Sequence, residues 1–197
     1  MDIENRVREI FEAEASAILA IPVDGEFERA IETLRVCHGN VLTTGMGKAG
    51  HAARKTAATL CSTGTPAAYI HPGEAAHGDL GLIGKNDCIV AFSTSGKTRE
   101  VIEMLELGRH LGLKTVIGVT SHPDSELRKL SDIVIDMGII REPCPIEMTP
   151  SASIAVMLAI GDALSLVLME LKGFTRSDYG RRHHGGYLGR RARLDNE

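Results

Sequence analysis

The chain has 197 residues, 43% of them apolar and 24% charged, with a formal net charge of -4. That length reaches the upper end of the usual one-domain range and suffices for a full core. The negative charge gives no general attraction to nucleic acid, and three Tyr, four Phe and no Trp leave few platforms for stacking bases.

Chain order then supplies the elements. The opening MDIENRVREIFEAE is charged and helical in pattern, unlike a signal peptide with its apolar core, so a cytoplasmic protein is expected. Helices are predicted over residues 3–21 and 26–37, separated by Pro22, Asp24 and Gly25. After residue 38 the rhythm changes. Short apolar, β-branched runs at 41–44, 67–70, 88–92, 115–119 and 133–136 read as strands, with helical stretches at 49–60, 99–111, 125–130 and 151–171. Strands alternating with helices predict an α/β fold with a five-stranded parallel sheet covered on both faces.

The helix over 151–171 is apolar on nearly every side, but Asp162 and Ser165 interrupt it and no flanking charge bias supports insertion. It reads as a core helix or part of an oligomer interface rather than a membrane span. Residues 173–197, containing GRRHHGGYLGRRAR, have no helical or strand period. They read as a tail, either disordered or held against a site, one on a neighbouring subunit included. The whole chain is taken as a single domain, with residues 1–38 as N-terminal helices. The cysteines Cys37, Cys61, Cys88 and Cys144 form no CxxC pair, and three lie in apolar or small-residue surroundings, as reduced thiols do.

Two loops following strands can hold a phosphate, since ligands in a parallel sheet sit at the carboxyl ends of the strands. TTGMGKAGH (43–51) places Gly47 and Lys48 ahead of a helix N-terminus. It fits a dinucleotide fingerprint, but the next strand ends in His71-Pro72 instead of an acidic residue, which argues against NAD. FSTSGKT (92–98) gathers the hydroxyls of Ser93, Thr94, Ser95 and Thr98 at a second turn. Residues 91–98, AFSTSGKT, also approach the Walker pattern, with Asp136 in the place of a magnesium partner, so a P-loop NTPase competes on motif grounds.

Lys48, Glu100, Glu142 (before the rigid Pro143-Cys144-Pro145) and His183 form a set suited to moving a proton between adjacent carbons. Each taken singly also reads as a solvated surface charge. In HPGEAAHGDLG (71–81), His71, Glu74, His77 and Asp79 match no zinc signature, so no metal or other cofactor is assigned.

The segments GMGKAGH (45–51), CSTGTP (61–66), HPGEAAHGDLG (71–81), STSG (93–96), EPCP (142–145), GDAL (161–164) and GFT (173–175) together resemble the arabinose-5-phosphate isomerases of the sugar-isomerase (SIS) superfamily. The resemblance runs from about residue 41 to 191. It implies a three-layer α/β/α fold, a homotetramer, and interconversion of D-ribulose 5-phosphate and D-arabinose 5-phosphate for Kdo, lipopolysaccharide and capsule synthesis. By motif it implies that Lys48, Glu100, Glu142 and His183 are catalytic. Gly47, Ser93, Thr94, Ser95 and Thr98 would bind phosphate, with Thr63, His77 and His184 as further contacts.

The sequence departs from the family pattern in three places. The usual HPGG reads His183-His184-Gly185-Gly186, so either histidine can fill the family role. Lys97 replaces an acidic residue and puts positive charge beside the phosphate. Many members continue into paired CBS domains, whereas this sequence ends at Glu197, so feedback is expected either on the SIS domain itself, with CMP-Kdo competing at the active site, or not at all. The expected reaction passes through a cis-enediol, with Glu142 or Glu100 as base, Lys48 stabilising the enediolate and His183 assisting ring opening. A non-catalytic SIS sensor of sugar phosphates is the second reading, and the P-loop NTPase the third.

Overall fold

A computed structural model describes residues 1–194. In chain order the elements are α1 (Ile3–Leu19), α2 (Gly25–Arg35), β1 (Val41–Gly45), α3 (Gly47–Ser62), β2 (Ala67–Ile70) and α4 (Pro72–Ala75). A 3-10 turn (Asp79–Leu82) leads to β3 (Cys88–Phe92), α5 (Arg99–His110), β4 (Thr115–Thr120), α6 (Glu126–Leu130) and β5 (Ile133–Asp136). The chain then runs through α7 (Ala152–Leu171), α8 (Arg176–Arg182) and α9 (Gly186–Leu194).

All four strand pairings are parallel, in the order β2-β1-β3-β4-β5. Alternation along each strand divides the core into two layers. On one face Val41, Val90, Phe92, Ile117, Val119 and Ile135 meet Leu34 of α2, Ala53 and Leu60 of α3, and Val156, Ile160 and Leu164 of α7. On the other, Leu42, Ile70, Ile89 and Val116 meet Val101, Met104 and Leu105 of α5 and Leu127 of α6. The result is the expected α/β/α sandwich. Thr43 and Thr44 lie within it, fully buried, and follow the same alternation: one hydroxyl donates to Ala53 O of α3 at 2.8 Å, the other to Ile70 O at 2.9 Å. A buried hydroxyl is tolerated only when bonded in this way.

Helix α7 is long and apolar enough to cross a membrane by length and composition, yet half of its apolar stretch is buried within the fold. It crosses α3 so closely that a Cβ at Gly161 would lie 2.1 Å from Thr56 Oγ1. Asp162, one of the two polar breaks, pairs with Lys55 of α3. Helix α1 packs on α7 but buries none of its own residues, leaving Ile3, Val7 and Phe11 exposed at helical spacing.

The predicted tail needs correcting. Its described part forms two helices rather than an aperiodic segment. Thr175 and Asp178 make a reciprocal capping box that starts α8, and α9 packs against α8 with Gly189 directly on the His183 carbonyl, where no side chain fits. Residues 195–197 of the predicted tail lie outside the described residues.

Candidate active site

The sheet order puts a topological switch point between β1 and β3, because the chain leaves these neighbouring strands in opposite directions across the sheet. Both predicted loops end there. Residues Met46, Lys48 and Ala49 from the first and Ser93, Thr94, Ser95 and Thr98 from the second line one hollow of about 220 Å³, completed by Pro150 and Ile154 at the start of α7. Sequence reasoning missed these last two; the available signal was the Thr-Pro-Ser turn before the long apolar helix.

Backbone donors dominate this hollow. Met46 and Thr98 are the N-caps of α3 and α5, and neither side chain caps its helix, so the first N–H groups of both helices face an anion's position. Gly47 turns the first loop with φ of +58°, a conformation that glycine adopts without strain. In the second loop Ser93 Oγ and Thr98 Oγ1 share a hydrogen bond of 2.9 Å, and Gly96 N donates to Ser93 Oγ at 3.1 Å. Gly96 also has positive φ, and a Cβ there would strike Ser125 Oγ at 2.3 Å. Lys97 N donates to Ser95 Oγ at 3.2 Å, which closes the turn. Lys48 is exposed at the rim and forms no ion pair among the described residues.

The other predicted residues are distributed around this hollow or away from it. Glu100 and His77 both line a second hollow of about 250 Å³ with Pro72, Gly73 and Met104. Glu142 lies beside a third cleft, of about 520 Å³, bordered by Arg6, Ala13 and Ala17 of α1 and by Arg141 and Cys144. Its carboxylate accepts from three backbone amides at the start of α7: Ser151 N at 2.8 Å, Ala152 N at 2.9 Å and Ser153 N at 3.2 Å. A side chain ten residues upstream thus caps the core helix. The turn bearing it is tied to α1 through Arg6, which donates to the Pro143 carbonyl. Within that turn, Met148 N and Thr149 N each donate to Cys144 Sγ at 3.1 Å. These amide bonds hold the thiol below its ordinary pKa, Thr149 contributing most.

Three expectations are revised. Thr63 stands apart from its own chain's hollow: it ends α3 at the amino edge of the sheet, buried, with its hydroxyl donating to Thr59 O at 2.8 Å. Lys97 is not among the residues lining the phosphate hollow and lines a separate one with Arg99, Glu103 and Glu126. Asp136 cannot serve a P-loop magnesium. It sits two strands from β3, with its carboxylate held by Arg128 at 2.6 Å and Gly138 N at 2.7 Å.

His183 and His184 stand apart from their own chain's hollow. Helix α7 begins beside the hollow and runs for 20 residues, about 30 Å at 1.5 Å per residue, to the amino edge of the sheet. There Lys172 Nζ donates to Thr65 Oγ1 at 2.9 Å, and Phe174 packs on Gly64. Helices α8 and α9 follow from that edge. His183 stacks on Tyr179 with ring centroids 3.8 Å apart, and its Nδ1 lies 3.1 Å from the Tyr179 carbonyl, an acceptor that assigns the proton to Nδ1. His184, next to it, is exposed. Among the described residues no group of three or more His, Cys, Asp or Glu side chains is arranged to hold a metal ion.

Comparison with known proteins agrees with this arrangement. The model of the SIS domain family matches residues 33–167. The chain is 43% identical to arabinose 5-phosphate isomerase KdsD of Pseudomonas aeruginosa over 93% of its length, and 39% identical to KdsD of Escherichia coli K12 over the same share. In both cases it spans only 56% of the relative, little more than half of those proteins. Among solved structures, Escherichia coli CFT073 c3406 in complex with arabinose 5-phosphate superposes with a TM-score of 0.88 at 37% identity, covering 92% of this chain and 97% of that one. A Bacteroides fragilis NCTC 9343 protein assigned as a phosphosugar isomerase involved in capsule formation superposes at 0.90 with 42% identity, covering 94% of this chain and 99% of that one. With the switch-point hollow, the sheet order and these matches together, the chain belongs to the SIS domain family.

Proposed function

We propose that this chain is an aldose–ketose isomerase that interconverts D-ribulose 5-phosphate and D-arabinose 5-phosphate through a cis-enediol. The observation that carries this reading is the hollow at the β1/β3 switch point. There two uncapped helix N-termini and the hydroxyls of Ser93, Thr94, Ser95 and Thr98 surround a space of phosphate-bearing size beside the cation of Lys48. The relatives named as arabinose 5-phosphate isomerases and the complex of c3406 with arabinose 5-phosphate supply the substrate class.

In this mechanism the phosphate is anchored by backbone N–H groups, and its binding energy fixes the reacting carbons. Glu142 or Glu100 takes the C2 proton of arabinose 5-phosphate or, in the other direction, a C1 proton of D-ribulose 5-phosphate. The three amide bonds on Glu142 hold that carboxylate in one orientation, while Glu100 lines a hollow shared with His77. Lys48 stabilises the negative charge of the enediolate, a contribution of about 3 kcal/mol for one well-placed donor. His183, or His184 beside it, assists ring opening.

The histidines reach the reacting sugar from a second subunit, since α7 carries them to the opposite edge of their own sheet. The exposed apolar residues of α1 (Ile3, Val7, Phe11) and of α7 (Leu166, Val167, Leu171) supply surface for a homotetramer. We place the reaction in the cytoplasm, at the start of Kdo synthesis for lipopolysaccharide or capsule, with CMP-Kdo competing for the same hollow as feedback ligand. The test is turnover: purified protein with D-ribulose 5-phosphate yields arabinose 5-phosphate and Lys48→Ala abolishes it. Binding of the sugar phosphate without conversion would instead identify a sensor. Calorimetry with CMP-Kdo checks the feedback site, and absence of binding at millimolar ligand would remove it.

A further inference from the structure

The turn bearing Lys48 is held from behind by a side chain that the mechanism has not used. We infer that Tyr69 is a positioning residue for Lys48, its hydroxyl pinning the carbonyl that opens the Gly45–Lys48 turn; this rests on the catalytic role proposed for Lys48.

Tyr69 lies on β2, paired in register with Thr43 of β1. Its Oη donates to the Gly45 carbonyl at 2.9 Å. Gly45 is the last residue of β1, and Met46, Gly47 and Lys48 follow it into α3, so this bond fixes the point from which the lysine departs. The phenol reaches that carbonyl only because Gly50 has no side chain. A Cβ there would lie 2.6 Å from Gly45 O and 2.9 Å from Tyr69 Oη. On the ring's face, Arg54 from the next turn of α3 sits with Cζ 3.9 Å from the centroid. Burial raises the phenol's pKa, partly opposed by Arg54, so it remains a donor at neutral pH.

Tyr69 is only half-buried and packs against the core, so Tyr69→Phe keeps the ring, the Arg54 contact and the packing, and removes one hydrogen bond. Steady-state kinetics with D-ribulose 5-phosphate, together with amide hydrogen exchange over residues 45–50, form the test. Because a small displacement of a catalytic group costs rate more than binding, kcat should fall about tenfold with KM unchanged within about twofold. Exchange at Gly50, whose N–H donates to the Met46 carbonyl at 3.3 Å, should quicken. Should Tyr69→Phe fold poorly, Tyr69→Met, which also removes the hydroxyl bond to the Gly45 carbonyl, takes its place with the same readouts. Wild-type kcat with unchanged exchange overturns the inference, as does a rise in KM at constant kcat, which would place the hydroxyl in phosphate binding. If the wild-type protein converts no sugar phosphate, the catalytic reading fails by itself. Exchange over the turn then still decides whether Tyr69 fixes it.

Discussion

Substituting Glu142 separates a structural role from a chemical one at a single carboxylate. Three charge-assisted hydrogen bonds at 2.8, 2.9 and 3.2 Å would sum to about 5–9 kcal/mol at about 1.5–3 kcal/mol each. That sum overstates the loss, because the site is half-exposed and water replaces a missing cap. Loss of a helix N-cap costs about 0.5–2 kcal/mol, and loss of a negative charge at the helix start about 0.3–1 kcal/mol. For Glu142→Ala we therefore expect about 1–2 kcal/mol, which lowers Tm by about 2–8 °C in a chain of this size. Glu142→Gln keeps one oxygen for Ser151 N and Ala152 N but loses the charge, so about 1 kcal/mol is expected. Calorimetry measures this arm, and exchange with solvent of the C2 proton of D-arabinose 5-phosphate measures the other. If Glu142 is the base, Glu142→Gln slows exchange by about 10²-fold or more at folded-protein temperatures, and Glu100→Gln does not. Wild-type Tm in Glu142→Ala refutes the capping role. Normal exchange in both Gln variants sinks the assignment of either carboxylate as base.

Other expectations rest on separate parts of the fold. Gly161→Ala forces a methyl against Thr56 Oγ1, 2.1 Å away; about 1–3 kcal/mol of overpacking less up to about 1 kcal/mol of helix propensity leaves a Tm lower by several degrees, and an unchanged Tm would show that α3 and α7 shift freely. Subunits carrying Lys48→Ala or His183→Ala should each be inactive, yet on unfolding and refolding together recover about a quarter of wild-type activity if one site draws on two subunits; no recovery places both groups in one chain's site, and activity of His183→Ala by itself gives the role to His184. Thiol alkylation should label Cys144 ahead of Cys88. Amide donors lower the Cys144 pKa, so its labelling rate levels off at a lower pH than that of an ordinary thiol, whereas burial and the neighbouring Cys37 push Cys88 up to about 12 and keep it a thiol there. Faster labelling at Cys88 would contradict the burial described for β3.

The strands were legible in the sequence because a parallel sheet buried on both faces needs short runs such as CIVAF (88–92), whose period and bounding turns are local. The phosphate hollow was legible for a similar reason: glycine and hydroxyl residues at strand ends have few other uses. What escaped depended on contacts between distant parts of the chain. Glu142 read as a charge before a rigid turn, and nothing local reveals that its carboxylate caps a helix ten residues on. Thr63 carried a family motif, but strand–helix geometry puts it at the opposite edge of the sheet. Helices α8 and α9 were hidden by glycine and arginine content. They are held by the Thr175–Asp178 capping box and by the approach of Gly189 to the His183 carbonyl, neither of which leaves a periodic trace. Tyr69 and Arg54 likewise meet only across β2 and α3.

The most direct test of the account is an NMR time course of D-ribulose 5-phosphate with the protein in D2O containing EDTA. Arabinose 5-phosphate carrying deuterium at C2 is the predicted product, since a carboxylate base exchanges its proton with solvent before returning it. Product with protium at C2, moved there from C1, would contradict a base that exchanges with solvent, and line broadening of the sugar phosphate without any product would contradict the isomerase itself.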